Sequence, residues 1–149
     1  PEVYLKLVGV LDESGMEPVQ NRIEKLPFMD WRQLPAVIAG LDINLMPLEN
    51  SLFHWCKSEN KWTEAALVKV PSVMSRNCEM EYVVENGKDG WMCTTKEEWV
   101  NALEALVTDE KARKVMGEAA HQKVMEHYLT VNTGKDAMEE LLCSESYTK

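Results

Sequence analysis

Short apolar runs alternate with amphipathic ones along the first two-thirds of the chain. Val3 to Val8 is apolar and partly β-branched and stops at Gly9, the pattern of a strand. Asp12 to Asn21 holds Gly15 and Pro18 and has no helical period, which predicts a loop. Arg22 to Met29 reads as a second strand that turns at Pro27. Asp30 stands where it can N-cap a helix running to Leu41, with Leu34, Val37 and Ile38 at helical spacing on its inner face. Pro35 is tolerated there because it falls in the first turns. Asp42 to Leu48 is a third strand, and Glu49 to Lys57 a long loop.

Ser58 is placed to cap a helix whose inner face carries Trp62, Ala65 and Ala66. Pro71 separates that helix from a fourth strand, Ser72 to Ser75. Glu79 to Val84 makes a helical turn, Asn86-Gly87 and Asp89-Gly90 are turns, and Trp91 to Cys93 is a short fifth strand. The remainder is helical. Thr95 and Glu98 form a capping box ahead of a stripe of Trp99, Ala102, Leu103 and Leu106. Asp109 caps the next helix, with Ala112, Val115, Met116 and Ala119 expected to face inward. A last helix over Gly134 to Leu142 is expected to bury Ala137, Met138, Leu141 and Leu142, and the tail from Ser144 to fray.

Strands alternating with helices predict an α/β fold: a doubly wound, mainly parallel, Rossmann-like sheet with helices on both faces. Ligands of such sheets sit beyond the carboxyl ends of the strands. That directs attention to the loops after Leu26, Pro47 and Met74. The 149 residues suit one core. We expect one domain over residues 1–143 and a disordered tail over 144–149.

Sixteen Lys and Arg stand against 25 Asp and Glu, a net charge of −9. A surface of that sign repels a polyphosphate chain and argues against nucleic-acid binding, though a few fixed cations can still hold a small anion. Cys56, Cys78, Cys93 and Cys143 form no CxxC pair and lie at no zinc spacing, which predicts reduced thiols in a cytoplasmic setting. No apolar run approaches the ~20 residues that span a bilayer, and no secretory signal pattern opens the chain.

The segment most informative about chemistry is KSENKWTEAA, Lys57 to Ala66, after the third strand. Lys57, Lys61 and Glu64 are spaced four and three apart, so they are expected on one face along the first turns of a helix. Cations at a helix N-terminus, with its free N–H groups and macrodipole, suit a diphosphate. A carboxylate one turn deeper can accept hydrogen bonds from two ribose hydroxyls. The plain alternative is a solvated face with a Lys61–Glu64 ion pair worth ~0.3 kcal/mol.

From Val3 to Tyr128 the chain resembles the C-terminal domain of the family 4, or group 1, retaining glycosyltransferases. The similar pieces are LKLVG, then RIEKLPFMDWRQLPAVIAGLDINLMPLE, KSENKWTEAALVKVPSVMS, EYVVENGKDGWM and the helices that follow. The most specific part is KSxxKWxEAA followed by VPSVMS. The resemblance implies the nucleotide-sugar-binding lobe of a GT-B fold and transfer, with retention, from a nucleoside diphosphate sugar. It implies no cofactor and no obligate metal. By position, Glu64 corresponds to the glutamate that binds the donor ribose. Lys57 and Ser58 take the place of the loop around the diphosphate, with Lys61 beside them. The turn of Pro27, Phe28 and Met29 corresponds to the base-contacting one.

The chain departs from the family pattern in three ways. Cys56 stands where the first glutamate of a Glu-x7-Glu motif belongs, so half of that motif is absent. The strand and helix that open the family's lobe are missing ahead of LKLVG. So is the acceptor-binding N-terminal lobe, which leaves the acceptor-side catalytic residues unassigned and a transferase not expected to act alone. In the family's strand order, 3-2-1-4-5-6, the missing strand is central, so either self-association or direct closure of the two strands beside the gap is expected. Two other readings stay open: a non-catalytic α/β nucleotide-binding or signalling module, and a dinucleotide-binding domain. The second is opposed by the lack of a GxGxxG after any strand. The expected location is the cytoplasm, including the inner membrane face. Outside these assignments, His54 and Trp55 are loop residues able to meet a ligand, and Arg76 one able to approach phosphates.

Overall fold

A computed structural model describes residues 2–10, 14–49 and 51–144. Strands β1 (Leu5–Val8) and β2 (Ile23–Leu26) pair in parallel, Leu5 opposite Ile23 and Val8 opposite Leu26. A second parallel sheet holds β3 (Asn44–Met46), β4 (Ser72–Ser75) and β5 (Trp91–Cys93) in the order β3-β4-β5. Among the described residues no strand bonds the free edge of β1 or of β3. The pairs fit the order 3-2-1-4-5-6 with the first strand left out.

The helices are α1 (Leu34–Ala39), α2 (Leu52–Trp55), α3 (Asn60–Leu67), α4 (Cys78–Val83), α5 (Lys96–Thr108), α6 (Glu110–His127) and α7 (Thr130–Ser144). Because side chains alternate along a strand, the register of β3, β4 and β5 lines Met46, Met74 and Met92 in a row on one face. Trp62 and Ala66 of α3, Met80 and Val83 of α4, and Ala120 and Val124 of α6 close over that row. On the opposite face Val73 and Cys93 lie beneath Ala102 and Leu106 of α5 and Met116 of α6. Parallel sheets with helices on both faces are therefore what the chain forms. Unbranched methionine fills the irregular space between three helices, and full burial of Trp62 alone is worth roughly 3 kcal/mol.

Several elements form where local chemistry predicts them. Strands β4 and β5 keep their expected limits. The Thr95–Glu98 capping box is closed in both directions, and Asp109 accepts the Ala112 N–H at 3.0 Å. Others differ. Glu17–Arg22, expected as loop up to Asn21 and as strand at Arg22, forms a 3₁₀ helix with Pro18 in its first turn. Asp30 does not cap α1: its carboxylate takes the Arg32 N–H at 2.9 Å in a local turn, and the helix starts at Leu34. The loop from Glu49 to Lys57 contains α2, capped by Ser51. The buried face of α6 is Met116, Gly117, Ala120 and Val124, while Val115 is exposed. Ala137 and Met138 on α7 are exposed rather than buried. The side chains of Leu141 and Leu142, expected to be buried, lie outside those described. So does the tail from residue 145 on, Ser144 itself closing α7.

The end of α3 has a form that the sequence does not advertise. Val70 N–H bonds the Ala65 carbonyl and Lys69 N–H the Ala66 carbonyl, both at 3.0 Å, a Schellman motif. Its left-handed position is filled by Lys69 at φ 62°, where glycine is usual. The hydrophobic contact that accompanies the motif is present, since Val70 and Ala65 are buried together with Ile38.

Candidate ligand-binding site

The exit of β3 is pinned to β4 by Ser75, whose hydroxyl accepts the Leu48 N–H at 2.8 Å and donates to the Leu48 carbonyl at 3.2 Å. From there the chain turns through α2 to reach α3. Lys57 precedes α3 and lays its ammonium 4.3 Å from the centre of the Phe53 ring. It therefore does not share a helical face with Lys61 and Glu64, as the spacing predicted. Ser58 is exposed and is not the cap; Glu59 holds that position and makes no side-chain cap. Lys61 and Glu64 do lie on the exposed side of α3 within its first turns, and no ion pair joins them.

Behind these residues α3 is held firmly. The Trp62 indole N–H donates to the Asp89 carbonyl at 2.9 Å within the core. The Asp89 carboxylate, buried in the turn before β5, accepts the Glu85 N–H at 2.8 Å and the Lys123 ammonium at 2.6 Å. Tyr128 sets its ring edge-on to Trp62. Burial, with the Glu59 and Asp89 carboxylates nearby, pushes the phenol of Tyr128 above its ordinary range. Asn44 of β3 adds a hydrogen bond to the Lys61 carbonyl at 3.4 Å. A helix N-terminus fixed in this way offers its N–H groups in one orientation.

The expected base-contacting turn follows β2. Phe28 is 88% exposed and Met29 half-buried. That turn follows the β1–β2 sheet, whereas α3 joins β3 to β4 in the other sheet.

A second feature lies over the carboxyl ends of β4 and β5. A cleft of about 460 Å³ opens there between α2, α4 and the start of α5. Trp55 and Trp99 contribute to its walls, with His54, Arg76 and Thr94 also lining it. Ser51 Oγ lies 2.8 Å from His54 Nδ1. Arg76, considered for phosphate contact, donates to Glu81 at 3.0 Å instead. Cys93 borders the same cleft; burial pushes its thiol up, and the Glu98 carboxylate adds to this against the opposing charge of Arg76. None of Lys57, Ser58, Lys61 or Glu64 lines the cleft. Among the described residues no group of three or more His, Cys, Asp or Glu side chains could hold a metal ion, and no helix is long and apolar enough to cross a membrane.

Residues 2–109 match the family described as "Glycosyl transferases group 1". The chain belongs to this family. No curated protein matches it in sequence. Among solved structures it is similar to HepE of Anabaena in complex with UDP and glucose, at 18% identity and a TM-score of 0.74 over 93% of this chain. The C-terminal domain of the group 1 glycosyl transferase LpcC from Francisella tularensis is also 18% identical, with a TM-score of 0.58 over 76% of this chain and 57% of that one. Sucrose-phosphate synthase of Thermosynechococcus elongatus gives 14% and 0.69, over 95% of this chain and 39% of the enzyme. The chain spans about 40% of the length of HepE. At these identities the structural likeness establishes the fold.

The residues expected from the group 1 glycosyl transferase pattern thus fall into two clusters, the turn after β2 and the segment entering α3. The cleft drew only part of its lining from sequence reasoning. Trp99 was legible as a core residue, and it does pack on the core, but it also borders the cleft. Only the approach of α2 to the β5–α5 turn, between residues distant in sequence, brings Trp55 and Trp99 to one opening.

Proposed function

We propose that this chain is the donor-binding lobe of a retaining glycosyltransferase that transfers a sugar from a nucleoside diphosphate sugar. The observation that carries the reading is the N-terminus of α3. It has no side-chain cap, it is braced from behind through Trp62 and Asp89, and it carries exposed Lys61 with Glu64 one turn further on. Free N–H groups and the helix dipole favour a diphosphate there. Lys61, with Lys57 and Ser58 on the approach, neutralises the charge that builds on the departing diphosphate. Glu64 accepts hydrogen bonds from the ribose hydroxyls, and the backbone beside Phe28 and Met29 meets the base. That HepE is described in complex with UDP-glucose supports a nucleotide-sugar ligand. No metal or cofactor enters this reading. The acceptor is held by a separate N-terminal lobe of the same enzyme, so this chain is inactive alone, and the enzyme works in the cytoplasm or at the inner membrane face.

The test is calorimetric titration of UDP and GDP into the protein and its Glu64→Ala and Glu64→Gln variants. A charged acceptor on ribose contributes ~1.5–3 kcal/mol, so Glu64→Ala weakens binding by about ten- to a hundredfold. Glu64→Gln, which keeps one acceptor, costs less. A deoxyribose nucleotide mimics the loss. Equal affinity of the ribose and deoxyribose forms for the unmutated protein would overturn the assignment of Glu64.

A further inference from the structure

We propose that the cleft over β4 and β5 is a carbohydrate subsite that takes one pyranose ring of a saccharide other than the sugar on the nucleotide donor. Its position fits the rule that doubly wound sheets bind ligands beyond the carboxyl ends of their strands. Its volume of about 460 Å³ is that of a small-molecule site.

The chemistry of the lining selects the ligand class. Of the side chains charged at neutral pH that line it, Glu49 and Glu81 are anionic and Arg76 is cationic, and Arg76 is already engaged by Glu81 at 3.0 Å. Phosphate or a free nucleotide is therefore repelled. A purely apolar ligand would strand the polar groups around it without partners. A neutral ring with hydroxyls on its rim and C–H groups on its faces satisfies both demands. Trp55, 48% exposed, and Trp99, seated on the core below, offer aromatic surface to such a ring. His54 has its Nδ1 beside Ser51 Oγ, which leaves Nε2 for a hydroxyl. Arg76 keeps further N–H groups for the same purpose.

The site is separate from the one proposed for the nucleotide. His54 and Trp55 of α2 line the cleft, whereas Lys57, after α2, folds onto Phe53, and none of the residues assigned to the nucleotide borders the cleft. The proposal does not depend on the donor assignment.

The experiment is NMR titration of the full chain, following the indole N–H signals of its five tryptophans. The probes are methyl α-glucoside, methyl α-mannoside, methyl α-galactoside and maltose, with UDP-glucose, UDP and inorganic phosphate as separate arms. At least one glycoside should shift the Trp55 and Trp99 indoles saturably. Trp55→Ala should weaken that binding about tenfold, and Arg76→Gln provides a second variant if the first does not fold. Lys61→Ala should leave it unchanged. Three results would overturn the proposal: no saturable shift with any glycoside, phosphate binding at lower concentration than the sugars, or undiminished binding in the variants. Equally decisive against it would be UDP-glucose alone shifting both indoles with UDP in competition, since the ring would then be the donor's own. Failure of the nucleotide reading has a different signature, unchanged UDP affinity in Glu64→Ala, and leaves these outcomes intact.

Discussion

Gly117→Ala is the substitution for which the packing of α3 on α6 makes the sharpest demand. A Cβ built at Gly117 would stand 2.0 Å from the Lys69 carbonyl oxygen and 2.8 Å from its carbon. Carbon and oxygen approach no closer than ~3.3 Å even in favourable C–H···O contacts, so α6 must retreat on the order of 1 Å from the end of α3. The obstacle is backbone and cannot rotate aside, because Lys69 sits inside a closed Schellman motif with both of its hydrogen bonds made. Overpacking of this kind costs ~1–3 kcal/mol and occasionally more; a rigid obstacle puts the cost at about 3. Helix propensity alone favours alanine over glycine by ~1 kcal/mol. The net expectation is a loss of about 2 kcal/mol, which at an m-value near 2 kcal/mol/M lowers the urea midpoint by ~1 M. Gly134→Ala in α7 is the control, for nothing lies within 4 Å of its Cβ. It should be neutral or slightly stabilising. A Gly117→Ala protein as stable as the parent would refute the reasoning, because propensity would then have outweighed the contact.

Thr95→Ala removes the side chain that caps α5 and should lower the urea midpoint by the equivalent of ~1 kcal/mol. Glu98, held below the ordinary carboxylate value of 4.5 chiefly by the Thr94 and Thr95 N–H groups, contributes stability that is fully present above 4.5 and lost as pH falls below it through the lower value of the folded protein. The acid limb of a stability–pH profile should therefore shrink in Glu98→Gln. In the folded protein Cys56 and Cys78 are exposed and Cys93 buried, with its thiol pushed up, so iodoacetamide at pH 8 should label the first two well before Cys93, as peptide mass spectrometry would report. The open edges of β1 and β3 should make the isolated chain self-associate, and sedimentation showing a strict monomer at high concentration would contradict this.

What could be read in advance was whatever local chemistry decides. Pro71 before Ser72–Ser75, the Thr95–Glu98 box and the Asp109 cap each act within four residues, and each is realised. The start of α3 was displaced because Ser58 is a good cap by type, yet the chain does not become helical until Asn60. The end of α3 was marked only by Pro71, since a lysine holding a left-handed conformation has no sequence signature. Its reason lies 48 positions away in Gly117, whose missing side chain admits the Lys69 carbonyl. The same holds for the candidate sites. Lys61 and Glu64 are on the exposed face where helical spacing put them, because Trp62, Ala65 and Ala66 leave α3 no other way to lie. The cleft was only partly legible, because its lining comes from segments that only the fold brings together, Trp55 and Trp99 being 44 positions apart (99 − 55).

The division into two sheets bears on how the family fold distributes its stability. Of the described residues before Ile38, none is buried, and β1 and β2 are at most half-buried along their length. The core is built instead on β3, β4 and β5, whose three methionines take up Trp62 and the helices around it. A two-stranded pair with little core of its own is marginal in water. Its backbone groups on the free edge of β1, like those of β3, need a partner strand or solvent. A strand lying between β1 and β3, parallel to both, would pair the two edges at once and bring the turn after β2 into one continuous sheet with the start of α3. In the order 3-2-1-4-5-6 that is where the first strand belongs. The nucleotide contacts proposed for Lys61 and Glu64 depend on the second sheet alone, whereas the base contact proposed for the turn of Phe28 and Met29 depends on the two sheets being joined.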